Sequence, residues 1–354
     1  MIRKLAIVLV GIVLAAACGT WMVLRMSVVA PGGEWGVGGL DDALDIRFDD
    51  NLRPYVEAQS LEDALLAEGW LHARYRLWQM ELLRRAGNGR LAEALGENML
   101  ETDKSLWRAG VPQLARRLVQ TASPEMLERV DAYLAGVNAG VASYSVRPPE
   151  LLLTGIEVRP WTRLDVFAVG ALIAFQSAAN MSNERLRLSL AAALDDRYFA
   201  AFVPDESGMP GFPYVIRDPR FLVASRFVES LDRFERQLLP SASLGSSGWV
   251  VAPSRSASGH ALFAFDSHDA LNLPNLFYEV HLFYGHGRSI RGWSLPGLPG
   301  VINGFNKHIA WGLTNIGDTQ DLYVETRNPE NPREFLLDGN WYEAESQFVD
   351  IPVK

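Results

Sequence analysis

Leu66, Trp70, Ala73, Leu77, Met80 and Leu83 recur every three to four residues within LEDALLAEGWLHARYRLWQMELLRR, the stretch that follows Ser60. That spacing predicts an amphipathic helix, and Ser60 with Asp63 resembles a capping box at its start. A second helix is predicted from Ser123-Pro124, where serine is a good N-cap and proline a good first residue. Its apolar positions are Met126, Val130, Leu134, Val137 and Val141. A third helix follows Trp161-Thr162 through VFAVGALIAFQSAA, and a fourth covers about Asn183 to Ala200. After Gly248 the pattern changes. WVVA, ALFAF, LFYEVHL, SIRGWS, VINGF, IAWGLT and LYVET alternate with turn signals, as short strands do. Ser-Ala-Ser-Gly at 256–259 joins the first two of these as a hairpin would. A mainly helical part followed by a mainly stranded part predicts an α+β fold.

The N-terminus, MIRKLAIVLVGIVLAAACGTWMVLR, stands outside this scheme. Arg3 and Lys4 precede an apolar run from Leu5 to Leu24, and about 20 such residues can span a bilayer. The segment 1–25 reads either as an uncleaved transmembrane anchor or as a signal peptide cut after Ala15-Ala16-Ala17. Lipidation at Cys18 is disfavoured by Ala15, which stands where leucine is usual. Each reading exports the rest of the chain, and the positive charges keep the short N-terminus inside. The protein is thus expected in the periplasm, or anchored to the membrane and facing it. The 354 residues suffice for one large or two ordinary domains, and 48% apolar content fits a packed core. A net charge of −9 argues against a nucleic-acid partner. The single cysteine, Cys18, leaves neither an intramolecular disulfide nor a thiolate metal cluster.

The two regimes meet at SASLGSSGWVVA, residues 241–252. Read alone, Gly-Ser-Ser-Gly is a flexible linker. The other reading is a cleavage site. A serine hydroxyl needs a base, and a free α-amine, with a pKa near about 8, can serve. Ser246 acquires that amine only if the Gly245–Ser246 bond breaks; Gly245 tolerates strained backbone and leaves its carbonyl accessible. His268, in FAFDSHDALNLP one hairpin downstream, is a partner able to orient the amine or hydroxyl. His72, His260, His281, His286 and His308 read as polar surface or satisfied core. In WGLTNIGDTQDLYVE, Asp318 and Asp321 flank Gln320, an oxygen-rich loop that suits a hard cation such as calcium or is simply a solvated acidic turn. Asn315 lies just before it, and its backbone N–H can face a developing oxyanion.

Taken together these segments resemble the penicillin acylase (penicillin amidase) family of N-terminal-nucleophile hydrolases. The resemblance runs from about Asp45 to Val353. EDALLAEGWLHARYRLWQMELLRRAGNGRLAEALGE and LETDKSLWRAG read like the family's α chain. GSSGWVVAPSRSASGHALFAFDSHDALNLPNLFYEVHL and SLPGLPGVINGFNKHIAWGLTNIGDTQDLYVE read like its β chain. The resemblance implies an αββα sandwich, incomplete here, with 26–225 as the α-chain region, 226–245 as a spacer and 246–354 as the start of the β chain. It makes Ser246 the nucleophile and gives Trp249 the place of a family tryptophan. Asn315 N–H becomes half of the oxyanion hole. Glu184, Asp318, Gln320 (through its carbonyl) and Asp321 become ligands of a structural calcium ion. His268 falls where cephalosporin and acyl-homoserine-lactone acylases carry histidine. Departures are Ser247 for the usual asparagine, Phe265-Asp266-Ser267-His268 for Asn-Asp-Pro-His, and Asp269 for an apolar residue of penicillin G acylases. The implied activity is hydrolysis of a small N-acyl amide, penicillin or another, by a precursor that cuts itself into α and β pieces, with calcium and no redox cofactor. Family precursors are longer, so the chain is expected to be a fragment or to be completed by another chain. Two other readings stay open: a non-enzymatic, acylase-derived envelope protein, and an uncleaved serine hydrolase using Ser246 or Ser247 with His268.

Overall fold

A computed structural model describes residues 2–178, 190, 193–202, 245–268, 271–314 and 325–354. Helix α1 (Ile2–Ser27) contains the apolar span Ile7–Ser27, no part of which packs against the rest of the protein. At 1.5 Å per residue this span is about 31 Å long, the thickness of a bilayer's hydrocarbon core.

Helix α2 (Leu61–Gly87) begins where the sequence places it, with Ser60 Oγ accepting from Asp63 N at 3.0 Å. The capping box is only half formed. The Asp63 carboxylate accepts instead from the backbone N–H of Asp41 at 3.0 Å. All six apolar positions read from the sequence are buried. The helix bends at Arg76 (φ −136°, ψ 19°), whose guanidinium lies 5.4 Å from the Tyr278 ring and donates to the Asn275 carbonyl at 3.2 Å.

Helix α6 (Pro124–Ala142) starts at the expected Ser-Pro, with Ser123 Oγ accepting from Met126 N. It packs along α2 at backbone contact. A β-carbon on Gly69 would collide with the Tyr133 carbonyl, and one on Gly136 with the Leu66 carbonyl. Helix α8 (Arg163–Ser177) carries a complete capping box between Thr162 and Asp165. Shorter helices join these: α3 (Ala92–Leu95), α4 (Leu100–Arg108), α5 (Val111–Thr121), which packs on α8, and α7 (Pro149–Thr154). Of the predicted fourth helix, the structure describes a final segment, α9 (Asp196–Phe202), two residues beyond the expected end.

The sheet departs from a clean helical-then-stranded division. Strands β1 (Asp45–Phe48) and β2 (Pro54–Ala58) come from the N-terminal part, where none was expected; both are short, and Leu52 between them takes a positive φ of 59°. They join β5 (Tyr278–Tyr284), β6 (Arg288–Ser294), β7 (Val301–Phe305) and β8 (Ala310–Trp311) in a six-stranded sheet ordered β1-β2-β5-β6-β7-β8. Neighbours are antiparallel except β2 and β5, which run parallel with Val56 opposite Leu282. Tyr278, Val280 and Leu282 point into a core shared with Val56, Trp70 and Leu71, while Leu295 packs among α2, α6 and α8. Described residues from both sides of Gly245 therefore meet in the six-stranded sheet and in the hydrophobic clusters against it. Two hairpins complete the described strands: β3 (Ser246–Val251) with β4 (Leu262–Ser267), and β9 (Glu334–Leu337) with β10 (Asn340–Glu343). The predicted spacer falls almost entirely outside the described residues, as does most of LYVET. The architecture is α+β, with an apolar N-terminal helix.

Candidate active site

Ser246 is the first residue of β3, and Val251 the last. The segment 256–259 turns the chain as its composition suggests. Ser256 Oγ and Ser258 Oγ lie 2.8 Å apart, and Gly259 adopts φ +71°, a conformation that suits glycine. Register then places Ser246 opposite Ser267, Ser247 opposite Asp266 and Gly248 opposite Phe265.

This register carries His268 back to the junction. The backbone N–H of His268 donates to the Gly245 carbonyl at 3.3 Å. A methyl group placed on Gly245 would sit 3.7 Å from His268 Nδ1, so that ring nitrogen faces the glycine. The other nitrogen, Nε2, lies 3.5 Å from Asp266 Oδ2. The pair is solvent-accessible, with 48% of the His268 side chain and 76% of Asp266 exposed, so its attraction is screened.

Phe265 attaches the hairpin to the main sheet. Its ring lies 6.3 Å from that of Trp293 on β6, which stacks on Phe277 at 6.1 Å. The same ring fills the space a side chain at Gly312 would need. Nearby, Asn303 Oδ1 accepts from Leu313 N at 2.8 Å and Trp311 Nε1 donates to the Val301 carbonyl at 3.3 Å. Asn303 is 5% exposed and fixes the exit of β8, the stretch that leads to Asn315. Nothing in VINGF marked this asparagine; its role depends on a register that only the folded sheet sets.

Behind the sheet lies a buried polar cluster joining the two halves of the sequence. His72 Nδ1 is 2.8 Å from Tyr133 Oη, and its Nε2 is 2.8 Å from Ser294 Oγ. Tyr133 Oη accepts from Gly297 N at 3.0 Å, and Ser294 Oγ donates to the Tyr278 carbonyl at 2.7 Å. Glu68 Oε2 accepts from Gly300 N at 2.8 Å, while its Oε1 has no hydrogen-bond partner among the described residues. Burial pushes the Glu68 carboxyl up to about 8 and pulls His72 down to about 3, because each charged form loses its water. His72 is thus a satisfied core histidine, as is His281. Arg291 Nε donates to His281 Nδ1 at 3.2 Å, which leaves Nε2 to donate to Glu279 Oε1 at 3.0 Å. Glu68 has no signal in the sequence beyond its helical position. α2 is buried nearly all round, so a polar residue on it does not mark a solvent face.

Of the residues singled out from the sequence, the structure brings Ser246 and His268 to one place. Asn315, Glu184, Asp318, Gln320, Asp321 and Asp269 lie outside the described residues. Among the described residues no group of three or more His, Cys, Asp or Glu is arranged to hold a metal ion.

The penicillin amidase family model matches residues 43–354. The acyl-homoserine lactone acylase QuiP of Pseudomonas aeruginosa is 33% identical over 337 residues, covering 92% of this chain and 40% of that protein. The penicillin acylase 2 proenzyme of a Pseudomonas species is 31% identical over 316 residues, covering 85% of this chain and 40% of its own length. Among solved structures, a thermostable penicillin G acylase from Alcaligenes faecalis aligns with TM-score 0.40 and 21% identity, over 50% of this chain and 98% of that one. The chain spans about 40% of the length of the curated relatives it matches.

Proposed function

The chain belongs to the penicillin amidase family, and on that premise we propose that it is part of an N-acyl amide hydrolase precursor whose nucleophile is Ser246. The relatives' names point to acyl-homoserine lactones and penicillins, both of which carry an acyl group in amide linkage. A small N-acyl amide is the substrate class that follows. The observation that carries the reading is the position of Gly245–Ser246: the bond opens β3, and its carbonyl accepts from the His268 backbone N–H at 3.3 Å.

Cleavage there gives Ser246 an α-amine, the base its hydroxyl lacks in the intact chain. Ser246 Oγ then attacks the substrate carbonyl, and the amine passes the proton to the leaving nitrogen. Asn315 N–H holds the oxyanion, and water releases the acyl group from Ser246. His268 is proposed as the residue that orients the amine. Glu184, Asp318, the Gln320 carbonyl and Asp321 form an all-oxygen donor set of the kind calcium takes, so calcium is proposed as a structural ion linking the α and β pieces. Helix α1 is proposed to export the chain, as signal or anchor, to the periplasmic side.

Intact-mass analysis of the purified protein tests this. A fragment beginning at Ser246, absent from Ser246→Ala, is expected. A chain that stays whole through long incubation with calcium overturns the reading and favours an envelope protein without turnover.

A further inference from the structure

Helix α1 ends at Ser27, and the chain is fixed to the folded body again at Trp35. The Trp35 ring lies 5.8 Å from that of Trp70. The Arg74 guanidinium sits 4.6 Å from Trp35, 5.4 Å from Trp70 and 5.2 Å from Tyr144, and its Nη1 donates to Ser143 Oγ at 3.0 Å. A cation shared among three rings attracts each of them, so Trp35 is clamped where α2 meets the end of α6. The residues after it stay docked. Val37 packs against the core that holds Trp70, Gly39 faces Ala135 and Leu66, and Asp41 N donates to Asp63 Oδ1. Between α1 and the clamp lie residues 28–34, which span at most about 25 Å when extended.

We propose that α1 stays in place as an anchor and that the α7 side of the body lies on the membrane surface, with Leu152 and Leu153 in the lipid interface. The inference rests on the anchor reading of α1 and is independent of Ser246.

The clamp leads directly to α7. Tyr144, whose Oη donates to the Ala73 carbonyl at 3.1 Å, packs against the cluster of Leu77, Ala94, Leu151, Ile156 and Val158. Leu151 fastens α7 to that cluster and is buried, whereas Leu152 is 47% exposed and Leu153 87%. Three consecutive leucines cannot share one face of a helix, so fastening α7 through the first leaves the other two in water. A lone exposed leucine is ordinary. This pair belongs to the element beside the clamp, and the clamp is tied by a short tether to a span long enough to cross a bilayer. Apolar side chains held at that depth gain by leaving water for the headgroup boundary. Charge adds little. Arg147 and Lys354, whose Nζ donates to the Thr154 carbonyl at 2.6 Å, stand against Glu150 and Glu157 in the same exposed region. The contact is therefore apolar and calls for no anionic lipid.

The test uses the full-length protein in phosphatidylcholine vesicles, with circular dichroism to confirm folding of each variant. Cys18→Ala removes the single cysteine, and Leu153→Cys then takes an environment-sensitive fluorophore. Its emission is expected to shift to the blue and to be quenched by brominated lipid, and high salt should leave both responses in place. The same label at Val250→Cys, a position 77% exposed on β3, is expected to show neither. Adding Trp35→Ala opens the clamp, and quenching at position 153 is expected to fall while α1 keeps the protein in the vesicle. Intact mass of protein taken from the membrane fraction of expressing cells reads the fate of α1. A chain that starts after Ala17 makes α1 a signal, and the anchor reading and this inference fail together. If α1 is retained but the label at 153 is quenched no more than the label at 250, or if Trp35→Ala leaves its quenching unchanged, the placement of α7 by the clamp is overturned while the anchor stands.

Discussion

His72 Nε2 lies 2.8 Å from Ser294 Oγ, and the two residues fall on opposite sides of the Gly245–Ser246 bond in the chain. Both are buried, and His72 also meets Tyr133 through its other nitrogen. Replacing His72 with leucine strands two buried hydroxyls. The expected cost is about 2–4 kcal/mol, read from urea unfolding. The burial that holds His72 down to about 3 also fixes its pH signature. A depressed histidine contributes stability above the unfolded value near 6.5, and that contribution drains away as pH falls towards 3. The stability gap between wild type and His72→Leu should therefore shrink on acidification below 6.5.

Glu68 has the opposite sign. Its carboxyl is raised to about 8 by burial, so the folded state keeps a proton that the unfolded chain loses near 4.5. Its contribution is complete below 4.5 and is lost as pH rises to 8. Glu68→Gln cannot ionise. Its stability relative to wild type should climb by about 2–4 kcal/mol between pH 5 and 8, measured by chemical denaturation at each pH.

At Gly69 and Gly136 the contact between α2 and α6 has no room for a side chain. Gly136→Val should push α6 off the Leu66 carbonyl and cost about 3 kcal/mol or more, seen as a lowered melting temperature. Gly38→Ala, where nothing lies within 4 Å, should change stability by less than about 0.5 kcal/mol.

Phe265→Ala removes the ring that lies between Gly248, Gly312 and Trp293. The hairpin then loses its hold on the main sheet. Cleavage before Ser246 should slow by about tenfold, since about 1.4 kcal/mol of misplacement suffices for that. Time-resolved mass analysis reads the rate.

The sequence made some of this legible and not the rest, for physical reasons. Ser60, Ser123 and Thr162 mark helix starts because capping is local chemistry between residues three apart. The turn at 256–259 is equally local, so β3 and β4 could be read. β2 could not, because a five-residue strand in parallel pairing with a partner more than 200 positions away leaves no periodic trace. Glu68 and Asn303 escaped for the same reason: each matters through a neighbour supplied by another part of the chain. Ser246 stands out in the sequence because glycine before serine at the change of pattern has a chemical meaning.

The parallel pairing of β2 with β5 would give the proposed cut an asymmetric consequence. In an uncut chain both strands are tethered, and folding is a first-order process. After such a cut the same pairing would join two molecules, and forming it would become second order in protein. The mature form would thus keep the geometry of the precursor while losing its easy route back to it. Once unfolded, two such pieces would have to find each other. A protein cut in this way would acquire its fold once, as a single chain, and inherit it afterwards.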